Sequence, residues 1–290
     1  MASIRIAVLG SGIFVQEEHL PAVEACSDVV LKALLQAKSR VDIYSDDSGN
    51  CLDALFARSN IQAKPVAKDP AQARELISYK SVAEIFRFQE AWRHARLEVT
   101  ALSRVINFRS RVCGLVSPGG KYYETSWRKT PEYQGGFLPD GGVHAIAGIR
   151  ILLSNEKITK VAAFTTSNFE HFSPVDTISA IIKTDKGVVG SFDISFGTTF
   201  EGWEFAVACE NGSVTVRPGD EVAVLKRKPE GGFEDEVVTK FPDDKNGVGQ
   251  EVAAFAKAVI TGIPDERQRR NLLWGKNDGT VMEINGGLTV

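Results

Sequence analysis

The sequence predicts an α/β half built on a parallel sheet, followed by an open mixed sheet with helices on one face. Three observations support this fold class. The dense apolar run "IRIAVLG" leads straight into a glycine-rich turn, as a buried parallel strand does. From Ser103 onward most segments alternate apolar and polar residues with period two. Turn signals at 185–187, 211–212 and 218–220 separate these segments, which is typical of a meandering antiparallel sheet.

The turn after the first strand contains Gly10 and Gly12, the first two positions of a GxGxxG pattern, with Val15 in place of the third glycine. In this pattern the backbone bends tightly and then lets a pyrophosphate approach the start of a helix. The same glycines also occur in plain tight turns, so both interpretations stay open. The following "VVLKALL" fits a second strand or the end of the first helix, and "VDIYSDD" fits a strand or a loop.

The middle of the chain predicts helices at "CLDALFARS" and "DPAQARELI", the second opened by an Asp-Pro pair. "SVAEIFRF" predicts a further strand, and "EAWRHARLEVTAL" predicts a helix that carries one apolar face. A last helix, "GQEVAAFAKAVITG", is expected to end at Gly262. The apolar face of the helix in "EAWRHARLEVTAL" consists of Trp92, Ala95, Val99 and Leu102.

Length and composition limit the classes of function. With 290 residues the chain can form two domains, and we place them at 1–84 and 85–290. A net charge of −3 gives no basic excess for nucleic acid, and no apolar run approaches the ~20 residues that cross a bilayer. The four cysteines form no CxxC, which predicts reduced thiols and no metal site. The N-terminal residues lack a signal-peptide pattern, so we expect a cytoplasmic protein.

The segment "GGFLPDGGVHAIAGIRILL" places Asp140 and His144 four residues apart at the start of an apolar helix. Asp140 can cap the helix, because a carboxylate accepts hydrogen bonds from the free N–H groups there. Residues four apart also lie on one helix face, so the pair can present an acid and a base to a substrate. The flanking glycines favour the second interpretation, since a cap alone does not need them. Arg128, just upstream, can pair with Glu132 at the surface or contact a substrate anion, and we favour the surface pair.

Together, "IRIAVLGSGIF", "AKPVAKDPAQARELI", "WRKTPEYQGGFLPDGGVHAIAGIRILL", "GSFDISFGTTF" and "FAVACENGSVTV" resemble the Gfo/Idh/MocA oxidoreductase family, particularly its fungal members. The resemblance implies an N-terminal Rossmann domain that binds NAD(H) or NADP(H), and hydride transfer to or from a small alcohol or carbonyl compound. It also implies three catalytic residues, in which His144 shuttles the alcohol proton, Lys64 assists it and Asp140 orients the substrate. The cofactor-binding residues that it implies are Gly10, Gly12, Ile13, Phe14, Lys64 and Pro65.

The sequence departs from the family pattern at several places. Ala63 replaces the glutamate of a Glu-Lys-Pro motif, and Ile85 stands where the family has asparagine. Relative to the family, segments are missing between "SNIQ" and "AKPVAKD" and after "LKALLQ", which shortens the Rossmann domain. Another segment is missing near the C-terminus, before "NLLWGKNDG". Either coding segments have been dropped from the gene model, or the protein has abandoned its nicotinamide. The second case predicts a cofactor-independent lyase, isomerase or cyclase of secondary metabolism, or a non-catalytic ligand-binding protein.

The second half also predicts how the protein assembles. An open sheet whose strands alternate as in "FDISFGTTF" exposes apolar residues unless another surface covers it. We therefore expect a homodimer formed through the C-terminal sheet.

Overall fold

A computed structural model describes residues 3–8, 12–35, 42–44, 84–131, 136–153, 156–172, 174–242, 246–263 and 265–268. The described residues form two compact units. The first unit combines those up to residue 88 with those from 246 to 268, and the second unit comprises those from 89 to 242.

The described sheet of the first unit has three parallel strands in the order β1-β2-β3. They are β1 (Ile4–Val8), β2 (Val29–Leu35) and β3 (Asp42–Tyr44). The parallel sheet predicted for the N-terminal half is therefore confirmed, and "VVLKALL" is a strand rather than the end of a helix. Between β1 and β2 the chain forms a π-helical turn, Val15–His19, and helix α1 (Leu20–Ala25).

The core of this unit forms because β1 alternates buried and exposed side chains. Ile4 and Ile6 are buried, and they belong to one apolar cluster with Val23 of α1 and Val29 of β2. The cluster also contains Ala256, from a helix near the far end of the chain. Burying such aliphatic side chains contributes about 1.5 to 3 kcal/mol each, so these few contacts hold the small sheet together.

That distant helix is α5 (Val248–Thr261), which ends at Gly262 as predicted. Gly262 has a φ of 70°, the left-handed conformation that commonly ends a helix and that glycine adopts without a steric cost. Because the apolar face of α5 covers β1, the chain returns to the first unit after completing the second. The expected domains, 1–84 and 85–290, did not include this return.

The segment "SVAEIFRF" does not form a strand in its described part. Ile85–Arg87 is a 3-10 helical turn, and the side chain of Glu84 accepts a hydrogen bond from the backbone N–H of Phe86 (3.3 Å). The backbone N–H of Glu84 in turn donates to Oε1 of Glu251 on α5 (2.9 Å). A side-chain acceptor nearby in sequence can thus take a backbone N–H group that would otherwise pair with a neighbouring strand. A short apolar run in the sequence does not show whether a strand or such a turn will form.

The second unit is built on eight strands in the order β11-β10-β9-β8-β4-β7-β6-β5 over the described residues. All neighbouring strands are antiparallel except β4 and β7. The predicted mixed sheet is thus confirmed. The strands are β4 (Val105–Leu115), β5 (Ile158–Thr166), β6 (Thr177–Thr184), β7 (Val189–Ser195), β8 (Gly197–Cys209), β9 (Gly212–Arg217), β10 (Glu221–Lys226) and β11 (Val237–Lys240).

Two long helices cover one face of this sheet, α2 (Glu90–Ala101) and α4 (Phe137–Leu153), and a short helix, α3 (Ser126–Lys129), lies between them in sequence. The predicted apolar face of α2 is confirmed, since all four of its residues are buried. Trp92 of α2 packs edge-on against Phe205 of β8, with ring centroids 5.0 Å apart. Gly148 of α4 makes room for it, because a Cβ there would lie 2.5 Å from the Trp92 ring.

Candidate active site

The start of helix α4 is where the predicted acid and base lie. Asp140 is in the first turn of α4, and its side-chain oxygen Oδ2 accepts hydrogen bonds from Nε (2.9 Å) and Nη2 (2.7 Å) of Arg128. A carboxylate in the first turn suits the positive end of the helix dipole. Its side-chain hydrogen bonds, however, go to Arg128 of helix α3, so this carboxylate connects α3 to α4.

Arg128 forms a partly enclosed ion pair with Asp140. Its side chain is only 13% exposed, and its Nη1 donates to Oγ1 of Thr125 (3.0 Å). The guanidinium carbon lies 4.0 Å from the centre of the Trp127 ring. Glu132, the partner that we predicted, lies outside the described residues. The sequence feature that could have indicated this contact is the Trp127-Arg128 pair, which ends twelve residues before Asp140.

His144 follows Asp140 by four residues and is half-buried. Side chains with this spacing on a helix have Cβ atoms about 5 to 6 Å apart, so the imidazole and the carboxylate share one face of α4. Imidazole is the side chain that most readily exchanges a proton near neutral pH. The arrangement can therefore pass a proton to or from a ligand while a fixed anion lies beside it.

The glycines around Asp140 have a structural explanation. A Cβ on Gly141 would lie 2.7 Å from the Phe196 ring, and one on Gly142 would lie 3.2 Å from the side chain of Ile194. Both glycines let α4 approach the ends of β7 and β8 closely. Close packing therefore explains why glycine occupies both positions, without a substrate that approaches the backbone.

An aromatic cluster adjoins the start of α4. Phe137 contacts the rings of Phe172 and Phe196 edge-on, with centroids 6.0 and 5.0 Å apart. Tyr123 donates its hydroxyl to the carbonyl of His171 (3.0 Å) and packs against that imidazole. These contacts give His171 a structural role in the loop.

The loop that supplies Phe172 is held by one buried carboxylate. Asp176 has no exposed surface, and its Oδ2 accepts the backbone N–H groups of Asn168 (2.7 Å) and Phe169 (3.0 Å). Its Oδ1 accepts the hydroxyl of Thr177 (2.7 Å). The sequence analysis missed this residue, because a single aspartate before a strand carries no spacing that predicts its burial.

In the segment just before α3, Glu124 has a clearly shifted pKa. A hydrogen bond from Lys129 lowers the pKa of this exposed carboxyl, and a second bond, from the N–H of Gly119, acts in the same direction. This pair lies on the exposed side of α3, away from the partly enclosed Arg128. It fixes the loop before α3 rather than taking part in proton transfer.

The glycine-turn residues lie in the first unit. Gly12 precedes the π-helical turn, and a Cβ there would meet no atom within 4 Å in the described part of the chain. Ile13 is half-buried, while Phe14 is 37% exposed and packs against the ring of His19. Gly10, Lys64 and Pro65 lie outside the described residues, so the structure does not test how they relate to these positions.

These features fit a dinucleotide cofactor in the described part of the first unit. A parallel strand, β1, leads to the turn, and the open space at Gly12 lets a ligand approach its backbone. One feature opposes this fit. Glu17 and Glu18 follow in the π-helical turn, and their negative charges would repel a pyrophosphate that came close to them. Among the described residues, no cluster of three or more His, Cys, Asp or Glu side chains could hold a metal ion.

Among the described residues, no helix combines the length and the apolar character that crossing a bilayer requires.

Comparison with known proteins identifies the family. Residues 71–215 match the model of the GFO/IDH/MocA C-terminal domain. The dehydrogenase FPY6 of Fusarium mangiferae is 34% identical over 320 residues, which covers 91% of this chain and 91% of that protein. Because that comparison is longer than the chain itself, it opens gaps in the chain, as the missing segments predict.

Two solved structures share the fold. An oxidoreductase from Thermotoga maritima superimposes with a TM-score of 0.76 at 20% identity, covering 93% of this chain and 92% of its own. An oxidoreductase from Agrobacterium radiobacter, solved with NAD+, L-tartaric acid and magnesium, gives 0.73 at 14% identity and covers 94% and 93%. The resemblance inferred from the sequence is thus confirmed, and the chain belongs to the GFO/IDH/MocA family of oxidoreductases.

Proposed function

We propose that this protein transfers a hydride between NAD(H) or NADP(H) and a small alcohol or carbonyl compound. The observation that carries the proposal is the fixed carboxylate of Asp140 one helical turn before His144. The family membership and a relative named as a dehydrogenase support it. The proposal assigns Gly12, Ile13 and Phe14 to the cofactor, together with Gly10, Lys64 and Pro65.

The chemistry requires a proton acceptor beside the reacting carbon. A carbinol carbon gives up a hydride readily only as its O–H proton is withdrawn, because the carbonyl product forms at the same time. His144 accepts that proton during oxidation and returns it during reduction, while Asp140 orients the substrate and Lys64 assists at the oxygen. The nicotinamide, when bound, supplies the hydride acceptor or donor.

The test begins with the full-length protein and the two cofactors. Titration with NADPH and with NADH should enhance nicotinamide fluorescence and shift its emission to the blue at micromolar concentrations. His144→Ala should then abolish turnover of any alcohol or carbonyl compound that the wild type converts. His94→Ala is the matched control, because this imidazole on α2 contacts Phe241 and is not part of the proposed site. Wild-type turnover in His144→Ala would refute the proposed role.

A cofactor-independent descendant is the second candidate, because the comparison with the Fusarium dehydrogenase opens gaps in this chain. It would keep Asp140 and His144 for a lyase, isomerase or cyclase reaction, or only bind a ligand. No change in nicotinamide fluorescence up to millimolar NADPH and NADH would support this candidate over the first.

The proposal also includes a homodimer through the open face of the C-terminal sheet. One row of paired residues crosses this face, and the register places Ile181, Ser191, Arg109, Ala206 and Thr215 side by side. The helices cover the opposite face, so this row lies on the face that no described helix covers. Eight strands spaced by about 4.8 Å and paired over about six residues give roughly 700 Å², close to the ~800 Å² that each partner buries in a stable interface.

Charge on the same face suits a two-fold partner. Arg109 of β4 bonds to Glu204 of β8 (2.7 Å), so both signs lie close together near the middle of the sheet. In an isologous interface whose two-fold axis passes between Arg109 and Glu204, each of these charges meets the opposite one of the second copy. The surface therefore suits a second copy of the chain.

A cytoplasmic location is the last part of the proposal. The cysteines that the structure describes, Cys26, Cys113 and Cys209, are all free thiols, as expected in a reducing compartment. Fluorescence microscopy of the protein with a fluorescent C-terminal fusion checks this, and a signal confined to membranes or secretory organelles would contradict it.

A further inference from the structure

All three nitrogens of the Arg128 guanidinium are engaged. Nε and Nη2 both donate to Oδ2 of Asp140, and Nη1 donates to the hydroxyl of Thr125. Lysine has no planar fork of donors, so it cannot reproduce this three-point contact. The position therefore requires the geometry of arginine as well as its charge.

Aromatic rings lie around this guanidinium. Its carbon is 4.0 Å from the ring centre of Trp127, 5.6 Å from that of Tyr122 and 6.0 Å from that of Phe137. The attraction between a cation and an aromatic face is worth about 0.5 to 2 kcal/mol and grows as water is excluded. With only 13% of the side chain exposed, Arg128 has little freedom to leave Asp140.

Only one oxygen of the Asp140 carboxylate, Oδ2, contacts Arg128. In the described part of the chain its side-chain hydrogen bonds all end on Oδ2, and 35% of the side chain is exposed. An ionised carboxylate has about four acceptor positions on its two oxygens. Oδ1 therefore keeps acceptor capacity, and Asp140 shares one face of α4 with His144.

We propose that Arg128 is a positioning residue, which holds Oδ2 of Asp140 so that Oδ1 can accept a hydrogen bond from a substrate hydroxyl beside His144. The inference rests on the proposed function, because it gives Asp140 a substrate to orient. Arg128 itself does not touch the substrate and acts through Asp140. Without it, the carboxylate is free to rotate toward other donors, including a protonated His144 one turn along the helix.

The experiment follows His144 directly and needs no ligand. Histidine-labelled full-length protein is titrated by NMR, and the four histidine signals are assigned with single His→Ala variants. Arg128→Gln should raise the pKa of His144 by about one unit, because the released carboxylate then stabilises the imidazolium. In an Asp140→Asn background the same substitution should have little effect. Such non-additivity identifies an action through Asp140, whereas a purely electrostatic effect of Arg128 adds in both backgrounds.

Two further variants keep the test decisive. Arg104→Gln is the matched control, since it removes an exposed ion pair with Glu210 elsewhere in the second unit and should leave His144 unchanged. Arg128→Lys retains a charge if the glutamine variant does not fold, and it should raise the His144 pKa by part of that unit. A wild-type titration in folded Arg128→Lys, or equal effects of Arg128→Gln in both backgrounds, would overturn the proposal. A failure of hydride transfer appears only in the cofactor assays, so the two failures are distinguishable.

Discussion

Asn168 and Asp176 are joined by two hydrogen bonds at the end of the open sheet. The backbone N–H of Asn168 donates to Oδ2 of Asp176 (2.7 Å), and its side-chain amide donates to Oδ1 (3.2 Å). Because Asp176 is fully buried, the loop that carries Phe169, His171 and Phe172 is attached to the sheet through this carboxylate. The aromatic cluster beside the start of α4 therefore depends on it.

We expect Asp176→Asn to destabilise the protein by about 2 to 3 kcal/mol. If the new NH2 group replaces Oδ2, it opposes two backbone N–H donors, and if it replaces Oδ1, it opposes the side-chain donors of Asn168 and Thr177. Urea unfolding followed by circular dichroism measures the change. Asp185→Asn is the control, since its exposed carboxylate also accepts a backbone N–H, that of Lys157 (2.8 Å). Equal effects of the two substitutions would show that the burial of Asp176 does not matter.

A second prediction concerns Gly148 in the middle of α4. Alanine at a helix interior normally gains about 1 kcal/mol over glycine. Here the new Cβ would lie 2.5 and 2.9 Å from two atoms of the buried Trp92 ring, so we expect a net loss of about 1 to 3 kcal/mol. Calorimetry should show a lower melting temperature for Gly148→Ala and a slightly higher one for Gly249→Ala, which has open space. Stabilisation by Gly148→Ala would contradict the packing described between α2 and α4.

Cys209 provides a prediction about pH. Burial raises the pKa of its thiol to about 11, so the unfolded chain loses this proton first and stability falls between pH 9 and pH 11. At pH 8 about one Cys209 in a thousand is a thiolate, roughly 100-fold fewer than for a thiol with an ordinary pKa. Iodoacetamide labelling followed by mass spectrometry should therefore modify Cys209 at least 100-fold more slowly in native protein than in urea. Similar rates in both would exclude the burial.

The proposed dimer can be broken at the open face. Ile181 is 54% exposed there, and Ile181→Asp should shift the protein to monomers in analytical ultracentrifugation at tens of micromolar, because it brings two carboxylates into the apolar surface. Leu97→Asp is the control, since Leu97 is 68% exposed on α2, a helix on the opposite side of the sheet. A wild type that is monomeric at these concentrations would refute the dimer itself.

Much of the fold follows from the sequence because the pattern of apolar residues decides which face is buried. Period two predicted the strands of the second unit, and the apolar face of α2 predicted its four buried residues. The run "SVAEIFRF" was predicted wrongly, since the hydrogen bond from Phe86 to Glu84 turned its described part into a 3-10 helix. The pattern of apolar residues does not show whether a backbone N–H will bond to a nearby side chain or to a neighbouring strand.

The sequence by itself determined the fold class, the family and the placing of Asp140 and His144 on one helix face, because helical periodicity is a local property. Only the tertiary structure decided that Arg128 holds Asp140, that Gly141 and Gly142 admit Phe196 and Ile194, and that α5 returns to cover β1. These relationships join segments that are distant along the chain or lie on different elements. Their geometry depends on how the elements pack, and no spacing in the sequence records it.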